Sequence, residues 1–214
     1  MHVVITGASR GIGAALRDEY VKAGHEVTGT ARDHAGLFRL DVTQPDSHAA
    51  LAHHLDGRPI DLLICNAGIY PDKHENLADG FPPDMWAETF ATNVAGVFQT
   101  VQSLLPNLQA AGKAKIAIMS SRLGSHAHAA GGSYAYRASK AAALSLGRNL
   151  AVDLEPLGIA VGTYHPGWVR TDMGGTNADI DVAEATEGLM QRFAALSVAT
   201  TGCFQTWDGR DLPF

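Results

Sequence analysis

The chain has 214 residues, of which 46% are hydrophobic and 18% charged, the balance of a soluble globular domain with a sizeable core. Its net charge of -6 offers no basic field to nucleic acid or to an anionic membrane, and no apolar run approaches the length of a membrane span. A strand that starts at His2 leaves no room for a charged and then apolar leader. The two cysteines, Cys65 and Cys203, fall in apolar runs, as small core residues of a reducing compartment do. A single cytoplasmic domain is the expectation.

In chain order, Val3-Val4-Ile5 is a short β-branched run that predicts a buried parallel strand. Thr6-Gly7-Ala8-Ser9-Arg10-Gly11-Ile12-Gly13 follows, and residues 14–23 then carry a helical pattern. Strand, glycine turn and helix in that order suit a dinucleotide: glycine permits the tight turn and lets backbone approach a pyrophosphate at the helix N-terminus. The spacing here is G-x-x-x-G-x-G. Glu26 to Thr30 predicts the second strand, and Ala31-Arg32-Asp33 stands where an adenosine ribose would lie. Leu37 to Leu40 predicts a short third strand ending in Asp41-Val42, and residues 45–55 a helix, with Asp41, Thr43 and Asp46 available for a turn or cap. His53 and His54 are neighbours on that helix and face different directions, which suits solvent better than a shared metal.

Ile60 to Cys65 predicts the fourth strand, closing in Asn66-Ala67-Gly68, whose small residues leave room for a cofactor. A loop with Pro71, Pro82 and Pro83 leads to a long helix from about Asp84, with Asn93 in its middle, where asparagine is mildly unfavourable. Pro106 is expected to kink or end that helix. Lys115 to Met119 predicts the fifth strand, closed by Ser120-Ser121. The His126-x-His128 pair in the next loop lacks an evident third ligand, so no metal site is assigned. Residues 158–164 predict the sixth strand, 172–181 a mobile lid, 182–196 the last helix, and 202–205 a final strand.

Tyr136-Arg137-Ala138-Ser139-Lys140 reads Y-x-x-x-K. On a helix this spacing puts a phenol and an ammonium on one face, a turn apart. The cation is expected to favour the phenolate and ease proton release near neutral pH.

These stretches, Thr6 to Gly13, Asn66-Ala67-Gly68, Ser121 with Tyr136 and Lys140, and Pro166-Gly167 to Thr171, occur in the order found in the short-chain dehydrogenase/reductase family, and the chain resembles that family over its whole length. Met119 to Gly124 and the short tail also resemble its small C-factor-like carbonyl reductases. The resemblance implies a Rossmann-like α/β fold, a doubly wound seven-stranded parallel sheet with helices on both faces. It implies Tyr136 as catalytic acid/base, Lys140 as its partner on the nicotinamide ribose, Ser121 as donor to the substrate carbonyl with Ser120 as the alternative, and Asn93 in a proton relay. Cofactor contacts would come from Gly7, Ser9, Arg10, Gly11, Ile12, Gly13, Arg32, Asp41, Val42, Asn66, Ala67, Gly68, Tyr136, Lys140, Pro166, Gly167, Val169 and Thr171. The short region after Thr171 implies a shallow, open substrate pocket.

The expected cofactor is NADP(H) over NAD(H), because the second strand ends Gly29-Thr30-Ala31 without an acid, Arg32 follows at once, and Arg10 can reach the same corner. The expected partner is a small-molecule carbonyl or alcohol, with a homodimer or homotetramer left open. The competing reading is an NAD(P)H-binding regulator or signalling protein with little turnover.

Overall fold

Successive side chains on a strand point to opposite faces, and here both faces are apolar. Val4, Leu63, Cys65, Ile116, Ile118 and Val161 enter one core cluster, while Val3, Ile5, Leu62, Ile64, Ala117 and Met119 enter a second. A sheet with two apolar faces must be covered on both, which is why the strands read as continuous apolar runs. The computed structural model describes residues 1–214. Its elements are β1 (His2–Thr6), α1 (Gly11–Lys22), β2 (Glu26–Ala31), β3 (Phe38–Arg39), α2 (Pro45–Leu55), β4 (Leu62–Cys65), α3 (Pro83–Phe90), α4 (Gly96–Ala110), β5 (Lys115–Met119), α5 (Tyr134–Leu154), β6 (Ala160–His165), α6 (Val182–Ala195) and β7 (Cys203–Thr206). Leu51, Leu104, Leu108 and Leu154 of α2, α4 and α5 close the first core, and Leu16, Tyr20, Leu189 and Phe193 of α1 and α6 close the second.

The strands form one seven-stranded sheet in the order β3-β2-β1-β4-β5-β6-β7, parallel at every pairing. The expected doubly wound Rossmann-like sheet is therefore the observed one. The chain runs outward from β1 in one direction, then returns to lay β4 on its other side. That reversal opens a crevice beyond the carboxyl ends of β1 and β4, where ligands bind in such sheets.

The long helix expected from Asp84 is interrupted. Between α3 and α4, residues Ala91–Ala95 form a single π-helical turn centred on Asn93. Pro106 does not end the helix: α4 continues through it to Ala110. A proline missing one backbone donor is tolerated there because α4 is packed along its length by Val97, Val101, Leu104 and Leu108, all buried. The lid expected over residues 172–181 is tied down: Arg170 donates its backbone N–H to Ile180 O at 2.9 Å, and Gly175 donates to Thr171 O at 2.8 Å. His126 and His128 lie on an exposed single turn of 3-10 helix.

Candidate active site

The glycine turn closes against the end of β4. Gly7 has φ +69, and a Cβ on it would stand 2.9 Å from Ala67 Cα, so both the conformation and the space demand glycine. A Cβ on Gly13 would collide with the Gly7 carbonyl oxygen. Asn66 holds the turn in shape: its Nδ2 donates to Thr6 O at 3.1 Å and to Gly7 O at 3.0 Å. Thr6 Oγ1 accepts in return from the backbone N–H groups of Asn66 and Ala67, at 3.0 and 3.1 Å. The N-terminus of α1 begins at Arg10 with no side-chain cap and no acid in its first turn, so its amides and its positive dipole end face the crevice.

A cleft of about 830 Å³ runs from this turn along the strand ends. Gly7, Ser9, Arg10, Gly11, Ile12, Gly13, Arg32, Asp41, Val42, Asn66, Ala67, Gly68, Tyr136, Lys140, Pro166 and Thr171 all line it. Gly167 and Val169 do not; they line a second, adjoining cleft of about 310 Å³ together with Ser121. Tyr136 and Ser120 line both. Asp41 Oδ1 accepts from Thr43 N at 2.9 Å and Thr43 Oγ1 at 2.8 Å, making a turn ahead of α2. The backbone donor from Thr43 is the leading influence that holds its carboxyl below the usual range.

The two cations named for a ribose phosphate stand differently. Arg10 Nη1 is paired with Asp172 at 3.0 Å across the mouth of the cleft. Arg32 is exposed and makes no ion pair. Asp33 is exposed beside it.

Tyr136 and Lys140 share a face of α5, and both are buried. Lys140 Nζ stands 5.6 Å from the Tyr136 ring centroid and donates to Met119 O at 2.8 Å. Burial pulls the Lys140 ammonium down to about 8. The direction expected for Tyr136 is reversed. Desolvation pushes its phenol well above the ordinary value, a hydrogen bond with Ser121 acts the other way, and Tyr70 and Asp72 add to the rise. A low-dielectric site penalises the phenolate more than a cation bonded elsewhere favours it. The ring is covered by Tyr70, stacked at 3.9 Å between centroids, whose hydroxyl lies 2.6 Å from Ser133 Oγ.

The two serines at the end of β5 make different bonds. Ser120 Oγ donates to Lys140 O at 3.1 Å, binding strand to helix. Ser121 Oγ accepts from Leu123 N at 3.1 Å, and Ser121 lines the smaller cleft together with Tyr136. Asn93 is buried in the π-turn. Its Oδ1 accepts from Ile69 N at 2.9 Å, and its Nδ2 donates to Ile69 O at 2.9 Å and to Ser139 Oγ at 3.0 Å. It clamps the loop after β4 to α5.

Sequence reasoning missed Asp72. This carboxylate is 1% exposed, and its Oδ2 accepts from Ala135 N at 2.8 Å and Tyr136 N at 3.1 Å. It caps the helix that carries Tyr136 from 63 residues upstream, while the local N-cap, Ser133, makes no side-chain cap. No local pattern marks a cap supplied from so far away.

Comparison with known proteins decides the family. The profile of the short chain dehydrogenase family matches residues 1–180. The chain belongs to that family. It is 36% identical over 166 residues to the C-signal protein of Myxococcus xanthus, a match covering 77% of this chain and 99% of that protein. Among solved structures, it resembles the NADPH-bound carbonyl reductase from chicken fatty liver, with a TM-score of 0.92 and 31% identity, covering 100% of this chain and 98% of that one. A short-chain dehydrogenase/reductase from Burkholderia multivorans with bound NADP gives 0.88 and 30%, covering 100% and 99%. The short-chain dehydrogenase assignment agrees with the motifs and the sheet order.

Two outcomes follow from this geometry. Asp72→Ala strands two buried N–H groups and lowers stability by about 1–3 kcal/mol; Asp72→Asn, which keeps one acceptor, costs less. Urea midpoints at constant slope check the ranking, and equal midpoints for wild type and Asp72→Ala would remove the cap from the account. The second concerns His165, whose buried Nδ1 has no partner and which burial first, then Arg122, pulls from 6.5 down to about 4. Between those two values the unfolded chain binds a proton that the folded chain refuses. Stability attributable to His165 therefore falls as pH drops from 6.5 towards 4. His165→Gln should flatten that part of the stability profile, measured as urea midpoint against pH.

Proposed function

We propose that the protein is an NADP(H)-dependent carbonyl reductase that converts an aldehyde, ketone or quinone to an alcohol, with Tyr136 as the acid. The observation that carries this reading is the position of Tyr136 at the junction of two clefts. One has the features a dinucleotide needs, and the other has the size of a small-molecule site.

The residues of the larger cleft fit the cofactor. The crowding at Gly7 and Gly13 brings bare backbone to the crevice. The uncapped α1 N-terminus presents donors for a pyrophosphate, and Arg32 is a free cation at the end of β2. Both solved relatives described above hold the phosphorylated nicotinamide cofactor. When bound, the nicotinamide supplies the hydride. This chain's residues do the rest. Ser121 and Tyr136 both line the smaller cleft and would donate hydrogen bonds to the carbonyl oxygen as negative charge develops there. Tyr136 Oη then gives up its proton. A phenol kept protonated by burial is in the form that reduction requires. Lys140, the nearby cation, favours the tyrosinate left behind. Asn93 and Ser139 fix the backbone on which both stand.

A signalling reading stays beside this one because of the name of the Myxococcus relative. Turnover separates the two: a panel of aldehydes, ketones and quinones with NADPH gives measurable rates for a reductase and none for a sensor. We place the protein in the cytoplasm, in keeping with its two free cysteines; no helix is long and apolar enough to cross a membrane.

Tyr136→Phe keeps the ring and its stack on Tyr70 but removes the donor. Its kcat should fall by at least about a hundredfold with cofactor binding kept. Ser121→Ala should lose roughly 3 kcal/mol of transition-state stabilisation, whereas Ser120→Ala, which loses a bond to the Lys140 backbone, should show its effect chiefly in stability. A reversed ranking would exchange the serines' roles.

The wild type should prefer NADPH to NADH in kcat/KM, and Arg32→Ala should reduce that preference by about tenfold, the worth of one charge-assisted bond. An unchanged ratio would give the phosphate to Arg10, which must then exchange Asp172 for it. Preference for NADH would end the assignment.

A further inference from the structure

The smaller cleft has a charge bias that the reaction itself does not call for. The chain carries 22 acidic residues against 16 Lys and Arg, yet no Asp or Glu lines this cleft, while Lys73, Arg122 and His165 do. Arg122 follows Ser121 directly and is exposed. Arg122 makes no ion pair, whereas Arg10 and Arg170, beside the larger cleft, are paired with Asp172 and Asp181. Lys73 is tethered only to neutral acceptors, Met173 O at 3.0 Å and Gly174 O at 3.2 Å, so its charge is not cancelled. Leu123, Trp168 and Met173 add apolar surface to the wall, the last two 42% exposed. Two uncancelled cations beside a partly desolvated apolar wall attract an anion more strongly than they would in open water.

We propose that the carbonyl substrate carries an anionic group, such as a carboxylate, on an apolar body, and that Arg122 is the residue that selects it. This rests on the reductase reading above and deepens it. Arg122 lies on the turn directly after Ser121, so a substrate whose carbonyl reaches Ser121 and Tyr136 can turn its anionic end to the guanidinium. A planar guanidinium pairs with a carboxylate through two parallel bonds, which fixes orientation as well as affinity. Lys73 adds a second positive charge without geometric demand. Burial is the main reason His165 stays neutral; Arg122 adds to it and Asp208 opposes it.

The test compares para-carboxybenzaldehyde with its neutral methyl ester, with NADPH, in the wild type, Arg122→Gln and Arg122→Glu. The acid-to-ester ratio of kcat/KM should exceed about ten in the wild type, fall by about tenfold in Arg122→Gln and invert in Arg122→Glu, with the change mainly in KM. A wild-type ratio near one, or a ratio that Arg122→Glu leaves in place, overturns the proposal while leaving the reductase intact. Calorimetric titration of the NADP-saturated protein with terephthalate needs no turnover. Terephthalate binding that Arg122→Glu abolishes, with neither aldehyde reduced, would sink the reductase reading and keep the anion site; binding unaffected by the substitution would sink the site.

Discussion

The site depends on how one buried amine is held. Lys140 is 6% exposed, and taking an ammonium out of water is costly unless it is bonded. Its partner here is the carbonyl of Met119, the last residue of β5. That bond, the one from Ser120 Oγ to the Lys140 carbonyl, and the bare backbone of Gly124 press helix α5 onto the end of the strand. A Cβ on Gly124 would stand 2.6 Å from the Lys140 carbonyl carbon, so even alanine would push the two apart. Tyr136 and Ser121 line the same cleft because the elements that carry them are joined at Lys140.

The rest of the site braces that joint from outside. Asp72 fixes the first turn of α5, Tyr70 covers the Tyr136 ring, and Asn93 binds the intervening loop at Ile69. The π-turn widens the helix by one residue at Asn93, a feature found often at functional sites. Asp72 and Tyr70 come from the loop after β4, and Asn93 holds that loop from the π-turn, so the segment that leaves the crevice also orders the helix across it. Electrostatics divides the two clefts in the same economical way. One has the amides of α1 and the exposed Arg32, the other Arg122 and Lys73, and the phenol between them is kept neutral by burial.

Loop contacts hold the segment after β6 in place. Asp172 reaches Arg10 on one side of the post-β6 segment, and Lys73 holds Met173 and Gly174 on the other. Trp168 Nε1 donates to Gly174 O at 2.9 Å. The segment is thus pinned to both walls, and its apolar residues Trp168 and Met173 remain partly exposed at the mouth.

What the sequence determined by itself is what short-range physics encodes. Apolar runs mark β1, β4, β5 and β6 because both faces of a covered sheet exclude water. The glycine turn and Asn66-Ala67-Gly68 mark the crevice because backbone must pass close there, and the Tyr136–Lys140 spacing marks one helix face. Only the tertiary structure decided the rest. Asp72 acts across 63 residues and Arg10 meets Asp172 across 162, separations at which no local pattern survives. The sign of the Tyr136 perturbation is not legible in the sequence, because spacing reveals a neighbouring cation, while the penalty on a buried phenolate depends on how completely other segments exclude water from it. The continuation of α4 past Pro106 has the same origin: local propensity predicts a break, and burial along the packed face of the helix outweighs it.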